Sequence, residues 1–279
     1  MRPSARFAYG LRVHGLAGVT ELMPAGTDPL PEVEVHQDTD SPRPVPHPLD
    51  HRHGVRLLAD GRHLAVDRER RTAVFHGPPL TPDLLAHPYL APVATTFNRW
   101  AGRETFHAGG FVRDGRAWAV TGPRTAGKSS LLAALAARGV PVVADDVLVL
   151  DGTDVFAGPR CIDLREPVPG VLLPSGPARA RTRTRVHLPP IGHRTPLGGW
   201  FFLHWGDAVE ATPVPATALL ARLAARRSWH QLPTDPAVLL ALAALPAWDL
   251  TRPRDWGSLD QVCALVEATP ASAGEVVRR

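Results

Sequence analysis

Eight residues, Gly122-Pro123-Arg124-Thr125-Ala126-Gly127-Lys128-Ser129, fit the pattern G-x-x-x-x-G-K-[ST]. They lie between an apolar run at 117–121 and an Ala/Leu-rich stretch that Gly139 closes. Such a loop works only where a strand ends and a helix begins, because backbone amides and the positive end of the helix dipole must converge on an anion. The chain is thereby directed to an α/β fold with a strand–loop–helix unit, and to the phosphates of a nucleoside triphosphate. Gly122, Arg124, Thr125, Ala126, Gly127, Lys128, Ser129 and Ser130 are the candidate phosphate-binding residues. Lys128 would reach the β/γ-phosphates and Ser129 would ligate Mg²⁺.

The next apolar run, 140–144, ends in Asp145-Asp146, seventeen residues after Lys128. A strand into the loop, a helix away and a parallel strand back make a βαβ unit, whose second strand ends beside the phosphates. Two adjacent carboxylates can serve one site there because the side-to-side alternation relaxes at a strand end. One would hold Mg²⁺ while the other accepts a proton. An acidic turn that merely terminates the strand is the plainer alternative.

Asp114-Gly115 is a two-residue hairpin signal between 109–113 and 116–120. Pairing Arg113 with Arg116 sets a register in which Val112 meets Ala117, Phe111 meets Trp118 and His107 meets Gly122. His107 is therefore expected beside the phosphate loop unless Gly109-Gly110 carries a bulge, which would turn it to the other face.

His107, the loop 122–129 and the pair Asp145-Asp146, in the order FHAGG…VTGPRTAGKSS…VVADDVLVL, resemble the kinase domain of the HPr kinase/phosphorylase family and its diverged bacterial relatives. The matching stretch spans about 105–165. The resemblance implies a P-loop fold related to phosphoenolpyruvate carboxykinase and transfer of the γ-phosphoryl group of ATP to a serine hydroxyl. The acceptor would be a protein or a ribosomal peptide precursor, such as that of a lasso peptide. It implies that Asp145 deprotonates the acceptor serine, that Asp146 helps hold Mg²⁺, and that His107 lies near the γ-phosphate or Asp145. The chain departs from the family at Thr125, where a second loop glycine is usual, and in the downstream signature glycines, which puts a reverse phosphorylase reaction in doubt. Arg160 and Arg165, in the segment standing where that signature would be, are candidates for stabilising the transferring phosphoryl group, with surface arginines as the alternative.

At 279 residues two units are expected: a smaller β-rich accessory domain over 1–101 and the P-loop kinase domain over 102–279. In the first, Asp60-Gly61 marks a hairpin and a further strand is expected at 72–76. His47, Asp50, His51 and His53 read as solvated loop residues, a metal site being the alternative. Two cysteines, Cys161 and Cys263, exclude a disulfide framework and suit a reducing cytoplasm. The N-terminus lacks the apolar core of a signal peptide, and no apolar run approaches the ~20 residues of a membrane span. The expected localisation is cytoplasmic, with no membrane partner and with homo-oligomerisation left open.

In the last third, Asp151-Gly152 marks another hairpin, and Arg179, Arg181, Arg183 and Arg185 recur at every second position. Read as a strand, this places guanidiniums on one face to clamp phosphates or attract an acidic peptide; a charged, aggregation-resistant edge strand is the alternative. No aromatic residues interleave with these arginines, which argues against nucleic acid. Helices are expected at about 216–227, 236–245 and 258–269, and the tryptophans at 200, 205, 229, 248 and 256 as core. The sequence thus points to a Mg-ATP-dependent serine kinase. A small-molecule hydroxyl kinase and a non-catalytic nucleotide-binding sensor are the alternatives.

Overall fold

The structure, a computed structural model, describes residues 4–269 and the short strand Val277–Arg278. It is a mixed α/β fold in which, among the described residues, strands form sheets of seven, ten and three members.

The seven-stranded sheet is built from residues 6–76. Its strands alternate apolar and polar residues, as in Glu32–Asp38 and His63–Asp67, so one face is buried and the other wet. The Asp60-Gly61 hairpin forms as the sequence predicts, with His53–Leu57 against His63–Asp67 and Thr72–His76 beyond. His53–Leu57 is the outermost strand. The helix Leu90–Trp100 then packs so deeply that nearly every residue is buried. One hydrophobic cluster joins Phe7, Leu64 and Phe75 of this sheet to Phe106, Trp200 and Leu242 of the rest.

In the ten-stranded sheet, Ala108–Arg113 and Arg116–Thr121 form the predicted hairpin, in register from Arg113↔Arg116 to Ala108↔Thr121. No bulge intervenes. Gly109 and Gly110 serve packing instead: a Cβ on Gly109 would run into Leu132 of the helix Lys128–Ala137. The irregularity falls on the other side, between Ala108–Arg113 and Val142–Ala144. The returning strand Val142–Ala144 has the direction of Arg116–Thr121, as expected, yet Ala108–Arg113 lies between them. On its other side Arg116–Thr121 pairs in parallel with Arg194–Trp205, which pairs in parallel with Ala247–Arg252. The helix Lys128–Ala137 covers this sheet together with Leu259–Ala268, enclosing a second cluster around Leu131, Leu135, Phe201 and Val262.

Helices Ala216–Arg226 and Pro236–Ala243 fall where their leucine spacing puts them. The second is started by Asp235, whose carboxylate accepts from the Ala237 amide, with Pro236 in the first turn. Among the described residues no helix is long and apolar enough to cross a membrane.

The three-stranded sheet corrects the arginine stripe. Arg179, Ala180 and Arg181 have φ of 51°, 54° and 69°, so they form a left-handed turn, and only Arg183–His187 continues as strand. That strand is the centre of its sheet, between Cys161–Leu164 and Ser175–Ala178, so it is not an edge either. Arg185 points inward and is 2% exposed. Its guanidinium holds both oxygens of Asp163 at 2.7 and 2.9 Å, Glu21 at 2.9 Å and the His87 carbonyl at 3.0 Å. A buried cation is tolerated only with such partners.

Candidate functional site

Three parallel strands, Arg116–Thr121, Arg194–Trp205 and Ala247–Arg252, end at one edge of the sheet, where open parallel sheets place their ligands. The candidate phosphate loop, residues 122–129, leaves from Thr121. Gly127 is the residue before the helix, with φ 79°, a conformation costly for a side chain. A Cβ there would also collide with the Arg252 guanidinium, which donates to the Ala126 carbonyl at 2.6 Å. Thr125, the departure from the expected glycine, is held at φ 68° nonetheless.

Lys128 opens the helix and is buried. Its Nζ donates to the Gly122 and Pro123 carbonyls at 3.1 and 3.2 Å. Burial pulls its pKa below the ordinary lysine value, opposed by the charges of Asp145 and Asp146. One helical residue on, Ser129 Oγ donates to Asp145 Oδ1 at 3.0 Å.

Asp145 and Asp146 follow the strand Val142–Ala144, and the structure separates their environments. Asp145 is 5% exposed, and burial, reinforced by the neighbouring Asp146 charge, pushes its pKa up to about 7. The buried Tyr9 hydroxyl donates to its carbonyl at 3.4 Å, a contact from the first sheet. Asp146 has φ 72°, and this left-handed step turns its side chain outward to His107. The His107 Nδ1 lies 3.2 Å from the Asp146 carboxylate and 2.9 Å from its carbonyl oxygen. The hairpin register holds as far as Ala108↔Thr121, and His107, the residue before it, contacts Asp146, whereas the expectation was a place near the γ-phosphate or Asp145.

A cleft of about 590 Å³ gathers these groups. Its walls include Arg124, Thr125, Gly127, Lys128, Ser129, Ser130, Asp145, Asp146 and His107, while Gly122 and Ala126 contribute carbonyls underneath. Arg165 lines the cleft and is exposed. Arg160 does not: it is buried, and its guanidinium is spent on the carbonyls of Val142, Val143 and Pro189. It braces the strand that carries the aspartates, which removes it as a transition-state group.

Several cleft residues escaped the sequence reading. Trp205 and Trp256, read as core, are 39% and 42% exposed at the cleft, whereas Trp200 and Trp248 are fully buried. The Arg252 guanidinium stacks 4.4 Å from the Trp205 ring centroid, and Arg254 lies nearby. Once parallel pairing is known, the ends of Arg194–Trp205 and Ala247–Arg252 fall beside the loop 122–129. Nothing local in the sequence says that they pair. Arg179 and Arg183, expected from the sequence as candidate phosphate clamps, do line the cleft; with Arg124, Arg165, Arg252, Arg254 and Lys128 they stand among the carboxylates Asp145, Asp146, Asp163, Glu166 and Asp255, and Arg179 is paired with Asp163.

No protein-family model matches the chain, and no curated protein matches it. Among solved structures it is similar to the Hpr(Ser) kinase/phosphatase from Coxiella burnetii, with a TM-score of 0.30 and 17% identity, over 58% of this chain and 93% of that one.

Proposed function

We propose that the protein is a P-loop phosphotransferase of the HPr-kinase-like type, moving the γ-phosphoryl group of Mg-ATP to a serine hydroxyl of a protein or peptide. One observation carries this reading: Ser129 of the phosphate loop is hydrogen-bonded to Asp145 at the end of the returning strand, with Lys128 adjoining and the Asp146–His107 pair beside it. A loop for phosphate alone needs no carboxylates at its γ end; a phosphoryl transferase needs a metal ligand and a proton acceptor there.

The donor set suits Mg²⁺. Ser129 and Asp146 offer hard oxygens, and among the described residues no group of three or more acidic, His or Cys side chains forms a closed cage. Mg²⁺ in nucleotide sites takes few protein ligands and completes its shell with phosphate and water. When bound, it would neutralise charge on the transferring group. Asp145 is the assigned proton acceptor, since a base is most effective when its pKa lies near the working pH and burial places it at about 7. Lys128 and Arg165 would offset phosphate charge, and His107 would fix the orientation of Asp146.

Incubation of the protein with labelled Mg-ATP and serine peptides tests this. The expected product is phosphoserine and ADP in equal amounts. Release of inorganic phosphate alone would refute transfer. A nucleotide-binding sensor is the second reading, favoured by the burial of Asp145; it would bind Mg-ATP without turnover.

A further inference from the structure

A second cavity, of about 840 Å³, adjoins the phosphate cleft and shares three of its residues: Pro88, His107 and Asp146. The two spaces meet at the carboxylate–imidazole pair assigned above to the transfer site. They differ in character. The phosphate cleft is lined by charged side chains of both signs, six of them arginines, while the second cavity is walled chiefly by apolar side chains, among them Leu49, Val55, Leu64, Ala91, Pro92 and Trp229. Its one arginine, Arg56, already lies 5.5 Å from the Trp229 ring centroid.

One wall of this groove is the outermost strand of the seven-stranded sheet, His53–Leu57. Antiparallel strands point alternate backbone groups to either side. Val55 turns its amide and carbonyl outward, where His47 pairs with both. Leu57, two residues on, faces the same way, and among the described residues no strand pairs with it there. Its side chain is exposed as well, at 56%. An unpaired rung beside apolar pockets is the arrangement by which extended peptides are held: backbone hydrogen bonds give affinity and alternate side chains enter the pockets.

Resting on the phosphoryl-transfer reading, we infer that this groove is the acceptor site and that its occupant is an extended, uncharged, apolar peptide segment. The segment makes its backbone hydrogen bonds at Leu57, beyond the rung that His47 fills, lays its side chains in the apolar pockets and presents its serine at the His107–Asp146 junction. In-line transfer requires donor and acceptor to approach the phosphoryl group from opposite sides, so the acceptor must enter from a space other than the one that holds the nucleotide. The serine oxygen forms the new bond to phosphorus as the bond to the β-phosphate oxygen breaks; ADP leaves with that electron pair, and the hydroxyl proton passes to Asp145. An acidic acceptor is disfavoured, because the arginines able to attract one border the phosphate cleft.

The experiment pans a synthetic library of nonapeptides, each with a central serine and randomised flanks, over the immobilised full chain. Retained peptides are sequenced, and phosphoryl transfer is scored separately, so failed transfer counts against the activity and failed retention against the groove. The expected result is at least a fivefold enrichment of Val, Ile and Leu over Asp and Glu at alternate positions. It should be lost in Leu57→Asp and kept in Leu57→Ile, with melting temperatures confirming both folds. Enrichment of acidic flanks, no positional preference, or equal retention by Leu57→Asp would overturn the proposal. So would phosphorylation of free N-acetylserine amide as efficient as that of every peptide.

Discussion

Ser129 Oγ and Asp145 Oδ1 stand 3.0 Å apart, joining the first turn of the phosphate-loop helix to the end of the strand that returns beside it. The hydroxyl assigned to the metal and the carboxylate assigned to the proton are thus immediate neighbours. Substitutions on either side of this bond separate metal binding, proton transfer and plain structure.

Lys128 is more tightly packed than a flexible phosphate-loop lysine, so its stem must be kept when its charge is removed. Lys128→Met should fold and lose about 10²–10³-fold in kcat/KM, the usual cost of removing one preorganised charge-stabilising group. Wild-type turnover in a folded Lys128→Met protein excludes this loop from the chemistry.

Asp145→Asn and Asp146→Asn should fail differently. A base acts in the chemical step, so Asp145→Asn should keep Mg-ATP affinity within about threefold and lose turnover. A metal ligand acts in the ground state as well, so Asp146→Asn should weaken Mg-ATP binding by about tenfold or more. Calorimetry on both variants decides; the reverse pattern assigns the metal to Asp145, as its bond to Ser129 would allow.

Stability should depend on pH through Asp145. Its pKa is raised by burial, so the folded protein holds this proton more tightly than the unfolded chain does. The stability it contributes is present at low pH and declines as pH rises from about 4 to about 7. In EDTA, Asp145→Asn should melt higher than wild type at pH 8, by about 2–4 °C per kcal/mol relieved, with the gain vanishing near pH 4. A gain that grows toward low pH would contradict burial of the charge.

Arg160 and Arg165 divide stability from function. Arg160→Ala removes a donor from the carbonyls of Val142, Val143 and Pro189, of which Val143 keeps the Gly158 amide and Pro189 is exposed, and should lower stability by about 1–3 kcal/mol, with Mg-ATP affinity changing only through the aspartate-bearing strand. Arg165→Ala should leave the melting temperature alone and raise the KM or lower the kcat for ATP. Chemical denaturation and steady-state kinetics on the two variants check this.

Arg185→Met should be destabilising by about 3–5 kcal/mol, because it leaves Glu21 without its buried cation and Asp163 with Arg179 alone. An exposed docking arginine would show no such loss and would instead weaken peptide binding as salt rises.

The sequence by itself determined the features set by short-range chemistry. The strand–loop–helix unit around residues 122–129, the hairpins at Asp60-Gly61, Asp114-Gly115 and Asp151-Gly152, and the register of the 108–121 hairpin all follow from turn residues and strand alternation within about twenty residues. Tertiary structure decided what depends on which distant segments pack together. Arg160, Arg165, Arg183 and Arg185 are alike in sequence, yet two are buried against partners and two line the cleft, because burial is fixed by elements such as Glu21 and His87 far away in the chain. Trp205 and Arg252 reach the loop 122–129 only through parallel pairing, which leaves no local mark. The apolar groove likewise exists only because His53–Leu57 and residues 228–231 meet over the junction that His107 and Asp146 form.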